Sequence, residues 1–168
     1  MTTSRDVYRA HPTQGEIEDV LGQRLTAALG TLNDDGSIHL TYLLFLFENG
    51  RFLFETASDT RKARNLAARG TASVIVQGRA ATGRSLMVEA EGDARIIDVP
   101  DAHAANHRLR AKYILPDALD AVDEAWGSID DVTIELTPRR WRSWTGSVLR
   151  DTTEATTGRD YETLWKDD

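Results

Sequence analysis

Residues 40–47 read Leu-Thr-Tyr-Leu-Leu-Phe-Leu-Phe and lie between two turn signals, Asn33-Asp34-Asp35-Gly36 and Glu48-Asn49-Gly50. Asp-Gly and Asn-Gly pairs favour the positive φ angles of tight hairpin turns. An apolar run of this length between two such turns reads as a strand that folds back on both neighbours. A strand with one wet face alternates apolar and polar residues. This one barely does, so both of its faces need cover. In a curled sheet one face meets the interior, and a helix or a second subunit must meet the other.

The surrounding sequence has the same texture. Arg24–Leu32, Ile38–Phe47 and Arg51–Thr56 read as a three-strand meander, and Thr71–Gln77 and Ser85–Ile97 as further strands. In the last of these, Val88, Ala90, Gly92, Ala94 and Ile96 alternate with charged residues, which puts Glu89 and Glu91 on a wet face. Val132–Thr137 alternates through Val132, Ile134 and Leu136, and residues 141–146 (WRSWTG) read as a last strand. Adjacent strand residues face opposite ways, so Asp130 and Asp131 are not a carboxylate pair. Trp141 and Trp144, three apart, are expected to point one inward and one outward.

Helices fill the intervals. Thr13–Gln23 opens with the capping-box pair Thr13 and Glu16 and carries Ile17, Val20 and Leu21 on one face. A second helix runs from Ser58 or Asp59 to Arg69 and stops at Gly70. A third runs from Pro100 to about Leu115, and a fourth starts at Pro116 and closes at Gly127. Gly78–Gly83 reads as a loop. The pattern predicts a mainly β, α+β fold, an antiparallel barrel of about six to seven strands with flanking helices. Residues 1–149 are expected to form one domain and residues 150–168 a polar tail, whose Tyr161, Leu164 and Trp165 could anchor a final turn.

Composition removes several function classes. The 168 residues suit one core, and 20 basic against 27 acidic residues leave a net charge of −7. Such a chain is a poor partner for nucleic-acid phosphates or an anionic membrane. No cysteine is present, which excludes disulfides, thiolate metal sites and cysteine nucleophiles. The first twelve residues hold no apolar leader, and no run approaches the ~20 residues of a membrane span. The expectation is a cytoplasmic protein.

The stretch richest in chemistry is Phe52–Leu66, FLFETASDTRKARNL. It runs from strand through turn into a helix that opens with Arg61, Lys62 and Arg64. Cations in a first turn oppose the helix dipole by about 0.3–1 kcal/mol each when exposed. Free backbone N–H groups lie there too, so a bound anion would offset both costs. The hydroxyls of Thr56, Ser58 and Thr60 are of the right kind to donate to phosphate. A solvated basic helix fits the same residues. His103 and His107 have the i, i+4 spacing of metal ligands but lack a third, so no metal site is expected. His39 reads as structural. No Gly-x-Ser-x-Gly, Walker or Gly-x-Gly-x-x-Gly motif occurs.

Three segments in this order resemble the pyridoxamine 5′-phosphate oxidase-like split β-barrel superfamily of flavin- and deazaflavin-binding proteins. They are FLFETASDTRKARNL followed by TASVIV, then SLMVEAEGDARII, then PRRWRSWTG, and the likeness runs from about Glu16 to Gly146. It implies that Thr56, Arg61 and Lys62 hold a cofactor phosphate, with Ser58 and Thr60 as further donors. It also implies that Ser85 lies near the cofactor ring or its polyol. Trp144, spaced from Pro138 and Gly146 as in the family's C-terminal motif, would pack beside the cofactor. The vitamin-B6 oxidases carry an arginine and a lysine at the ends of the strand before the phosphate loop; here that strand is Thr41–Leu46, and both charges are missing. Their Arg-x-His motif is also missing after Trp144, which argues against pyridoxamine 5′-phosphate as substrate.

The run Lys62-Ala63-Arg64-Asn65-Leu66 is more similar to the branch that uses the deazaflavin coenzyme F-420. The resemblance therefore implies an oxidoreductase passing hydride between bound F-420 and a small organic acceptor, with Tyr42 as the candidate proton donor. An FMN enzyme of the same fold and a non-catalytic flavin, deazaflavin or haem binder are the alternatives. It further implies a homodimer with the cofactor at the subunit interface. Arg79 and Arg84 are candidates for a groove receiving the carboxylate-rich tail of F-420.

Overall fold

In the computed structural model, which describes residues 11–98, 100–127 and 130–165, seven strands form one antiparallel sheet. They are β1 (Thr26–Leu32), β2 (Ile38–Leu44), β3 (Leu46–Glu48), β4 (Arg51–Ala57), β5 (Thr71–Arg79), β6 (Ser85–Ile97) and β7 (Asp131–Thr145), in the order β2-β1-β5-β6-β7-β4-β3. The helices are α1 (Gln14–Gly22), α2 (Arg61–Arg69), α3 (Asp101–Tyr113), α4 (Leu119–Gly127) and α5 (Ser147–Thr157), followed by a 3₁₀ turn at Tyr161–Leu164. The protein is thus mainly β with flanking helices, a curled, split antiparallel barrel.

The expected meander is broken in the middle. Ile38–Phe47 is not one strand: β2 pairs with β1 and β3 pairs with β4, so the two halves form opposite edges of the sheet with only Phe45 between them. The sheet curls until its edges meet at that residue. Phe45 is fully buried, its ring 5.8 Å from that of Phe52. Two side chains from the end of α3 hold the junction. The Tyr113 hydroxyl sits 2.7 Å from Phe45 O and 2.8 Å from Leu25 O, and it accepts the Phe45 N–H at 3.3 Å. Lys112 Nζ donates to Leu21 O and Phe45 O and lies 4.2 Å from the centre of the Phe45 ring.

The two C-terminal strands read from the sequence are one, the 15-residue β7. Its register against β6 slips at Glu91/Gly92, where Gly92 faces Pro138 and Glu91 faces Arg140, leaving Arg139 as the extra residue of a bulge. Proline cannot donate to the ladder, and a bulge is where it is tolerated. Gly92 makes the bulge possible, since a Cβ there would lie 2.0 Å from Thr137 O.

The core joins α1 (Val20, Leu21) to the inner faces of β1, β4, β5, β6 and β7, among them Leu29, Phe54, Val74, Val88 and Ile134. The capping box at Thr13 and Glu16 forms in both halves. Val132 to Leu136 are buried on both strand faces, because α3 covers the polar side. Thr133 Oγ1 is satisfied there by Asn106 Oδ1 at 2.6 Å and Ala102 O at 3.2 Å. The boundary expected at residues 149/150 falls inside α5, and the ring of Tyr161 meets that of Trp165 edge-on at 5.4 Å. The outer face of β2 is uncovered: Ile38 and Leu40 are each 68% exposed and Tyr42 77%. Among the described residues, no helix is long and apolar enough to cross a membrane.

Candidate functional site

β4 leaves the sheet at Ala57, turns through Ser58-Asp59 and enters α2 at Arg61, two or three residues later than the sequence suggests. Thr60 stands at the cap position, yet its side chain makes no capping bond to the helix. Its hydroxyl donates instead to Ala57 O at 2.9 Å and lies 3.2 Å from the Thr56 hydroxyl. The first-turn N–H groups of α2 are therefore left without a side-chain cap. Lys62 lies within this first turn at 9% exposure, and among the described residues no carboxylate or carbonyl pairs with its ammonium group. Burial alone pushes its pKa below the usual lysine value. Arg61 beside it is exposed. Asn65 fixes the helix against the β1–β2 turn, donating to Asn33 Oδ1 at 2.9 Å and Thr31 Oγ1 at 3.1 Å.

Thr56, Thr60, Arg61 and Lys62 are thus brought to one strand-to-helix junction. Ser58 belongs to the same turn but is otherwise engaged. Its hydroxyl donates to the Asp130 carboxylate, and its N–H donates to Asp130 O at 2.9 Å. A hydroxyl held by a carboxylate is poorly disposed toward a phosphate. Tyr42 joins the group from the edge of β2, since Tyr42 and Thr56 line one cleft of about 410 Å³ with Leu109, Trp126 and Asp131.

Ser85 and Trp144 do not join it within this chain. Ser85 opens β6 opposite Arg79, and Trp144 pairs with Met87 near the far end of β7. The start of β7, Asp131, lies opposite Ala57, so Trp144 is on the order of 40 Å away along the strand at ~3.3 Å per residue. Trp141 pairs with the inward-facing Ala90 and Trp144 with Met87 on the other face, so the expected division into one inward and one outward ring holds, although Trp141 stays 43% exposed, Trp144 is half-buried, and both border a separate pocket. The Trp141 ring packs 5.7 Å from Phe47 and 5.7 Å from Phe52. Arg84 is committed to the buried Glu16 at 2.9 Å, and Arg79 to Gly83 O at 2.8 Å and Glu162 at 3.6 Å. Neither is a free cation for an anionic tail.

The profile of the family described as pyridoxamine 5′-phosphate oxidase matches residues 13–145. The chain belongs to the pyridoxamine 5′-phosphate oxidase family. Among solved structures, a conserved hypothetical protein of Mycobacterium tuberculosis shares 26% identity at a TM-score of 0.69, covering 84% of this chain and 91% of its own. An F-420 reductase shares 22% identity at a TM-score of 0.55 over 78% of this chain and 98% of its own. The haem storage protein of Vibrio cholerae shares 16% at a TM-score of 0.60 over 79% and 93%. The latter two likenesses speak for the fold alone. No curated protein sequence matches the chain.

In this family member the cleft rests on a buried charge cluster that the sequence reading missed. Arg110 is 3% exposed and binds three carboxylates. It grips Glu55 with Nε and Nη2, donates from Nη1 to Asp123 Oδ1 at 3.0 Å, and donates from Nη2 to Asp131 Oδ2 at 2.8 Å. Burial works against its charge, but these carboxylates hold its pKa above the ordinary arginine value. Burial raises the Glu55 pKa, and the Arg110 bonds only partly offset it. Burial also acts to raise the Asp123 pKa, but His107 and Arg110 hold it below its usual value. His103 and His107, the i, i+4 pair, turn to Asp131 at 3.5 Å and to Asp123 respectively. A signal was present in the sequence: Asn106 and Arg110, four apart, lie on the buried stripe of α3 with Ala102 and Leu109. That stripe is too polar to be answered by apolar partners.

Proposed function

We propose that the protein is an oxidoreductase that holds a phosphate-bearing flavin-type cofactor at the β4–α2 junction, with the deazaflavin F-420 as the first candidate. The observation that carries this reading is Lys62, a largely buried side chain whose ammonium group has no counterion among the described residues, placed in an uncapped helix start. Burial of the side chain partly desolvates this charge, which is costly when no partner replaces the lost water. A phosphate bound to it and to the free N–H groups offsets that cost. Arg61 adds charge from the exposed side, and the Thr56 and Thr60 hydroxyls can turn to donate.

The cofactor, when bound, supplies the hydride chemistry. The chain's own residues bind its phosphate, orient it past Thr56 toward Tyr42, and wall off water with Leu43, Leu44 and Leu109. Tyr42 is the phenol placed to deliver a proton. Ser85 and Trp144 are proposed to come from the partner of a homodimer formed through the exposed face of β2. The likeness to an F-420 reductase supports the choice of deazaflavin, and FMN would use the same phosphate site. The reading predicts that purified protein binds F-420 in the micromolar range or tighter in a fluorescence titration run in parallel with FMN. Tight FMN binding with weak F-420 binding would make it a flavoprotein instead. If neither binds, the phosphate assignment fails.

A further inference from the structure

We propose that the cleft beside the phosphate site is the acceptor pocket, and that it selects a small, largely apolar and planar molecule carrying one positive charge. Calling the ligand an acceptor rests on the proposed cofactor reading; its charge and shape rest on the cleft alone. Three carboxylates, Glu55, Asp123 and Asp131, surround one guanidinium, which leaves a formal charge of −2 under the cleft. From α3, His103 and His107 stand beside Asp131 and Asp123. Asp131 lines the cleft at 4% exposure, and its Oδ1 is buried without a hydrogen bond, with His103 Nε2 at 3.5 Å. An unbonded buried carboxylate oxygen is costly, and a ligand N–H can satisfy it.

The walls agree with the floor. Trp126 is 38% exposed into the cleft, and the Arg110 guanidinium lies 5.4 Å from its ring centre. Its open face, with Tyr42 from β2, offers aromatic surface of the kind that holds organic cations. Leu43, Leu44, Ala57 and Leu109 make most of the remaining lining apolar, with Thr56 the polar exception. A neutral molecule gains only the walls, and an anion meets the uncompensated carboxylates.

Benzamidinium, a planar aromatic cation, is the probe, with benzamide and benzoate as its neutral and anionic counterparts. Calorimetric titration of the full-length chain should show benzamidinium binding at least tenfold more tightly than benzamide, with no binding of benzoate. Glu55→Gln should weaken benzamidinium at least fivefold. Trp126→Leu, at a partly exposed position, should do the same without lowering the melting temperature, which covers the case in which Glu55→Gln fails to fold. Equal binding of benzamide and benzamidinium, or benzamidinium affinity unchanged in Trp126→Leu, overturns the pocket. F-420 binding without benzamidinium selectivity would sink this proposal and leave the cofactor reading standing. Benzamidinium selectivity without F-420 or FMN binding would keep the cation pocket and remove its role as acceptor site.

Discussion

Lys62 brings a positive charge into the first turn of α2, where the helix dipole, burial and the lack of a counterion among the described residues all oppose it. A side chain that costs stability in the free protein and serves a bound anion has a recognisable signature. Lys62→Met keeps the length and removes the charge. The ligand-free variant should melt at the same temperature as the parent or higher, while its affinity for the phosphate-bearing cofactor falls by about 1–3 kcal/mol, the range for a lost charge-assisted bond. A scanning calorimetry run and an F-420 titration on the same preparation check both halves. A lower melting temperature with unchanged affinity would make Lys62 a structural residue. Lys112 is a half-buried lysine, and desolvation pulls its pKa to about 8. Above that pH the folded chain has released a proton that the unfolded chain retains up to its ordinary value of 10.5. The unfolded state then binds more protons, so this group makes stability rise with pH. The rise should be visible between about pH 8 and the onset of tyrosine ionisation near 10.0, and reduced in Lys112→Met, by urea unfolding across that range; what is left belongs to Lys62, whose pKa burial also lowers.

The elements differ in how far their causes reach along the chain, and that decides what the sequence reveals. The capping box of α1 is local, its two residues three apart, and it was legible. Glu16 then does more than its motif says. The Thr13 N–H, the Thr82 hydroxyl and Arg84 hold its pKa at about 2 against an ordinary 4.5. A depressed carboxylate contributes stability above 4.5 that is lost as pH falls toward 2, so Glu16→Gln should flatten the acid limb of the stability curve in that window. The break at Phe45 was not legible, because nothing in Leu40–Phe47 marks it. It is set by the Tyr113 hydroxyl, 68 residues away in sequence. Tyr113→Phe leaves the Phe45 N–H and the Leu25 carbonyl without this partner, while Phe45 O keeps Lys112, and equilibrium unfolding should register a loss of about 1–3 kcal/mol. The single long β7 was hidden for a similar reason. Pro138 looks like the end of a strand until Gly92, on the neighbouring strand, makes room for a bulge. In the candidate site, the β4–α2 junction could be read because Thr56 to Lys62 are contiguous. The Arg110 cluster draws on β4, α3, α4 and β7, and no stretch of sequence contains it.

At the scale of the molecule, β2 presents what a lone soluble domain avoids: an edge strand with free backbone groups and an outer row of Ile38, Leu40 and Tyr42 standing 68–77% exposed. Ala28, Leu32 and Ile75 extend that apolar surface across β1 and β5 into a groove of about 410 Å³. The opposite edge, β3, is three residues long and gives little to pair with. The apolar face is therefore on one side of the sheet only, which suits a closed two-fold pair better than a chain of copies. The same pairing would serve the proposed cofactor site, since Ser85 and Trp144 lie at the far end of β6 and β7 from the β4–α2 junction of their own chain. The two ideas can be joined in one experiment. Leu40→Glu should turn a dimer into a monomer by sedimentation velocity and weaken F-420 binding as the partner's residues leave. Trp144→Ala should weaken F-420 binding in the dimeric parent and change nothing further in the Leu40→Glu background, because the tryptophan that matters is then already gone. If the two losses add instead, Trp144 acts within its own chain, and the cofactor is not shared between subunits.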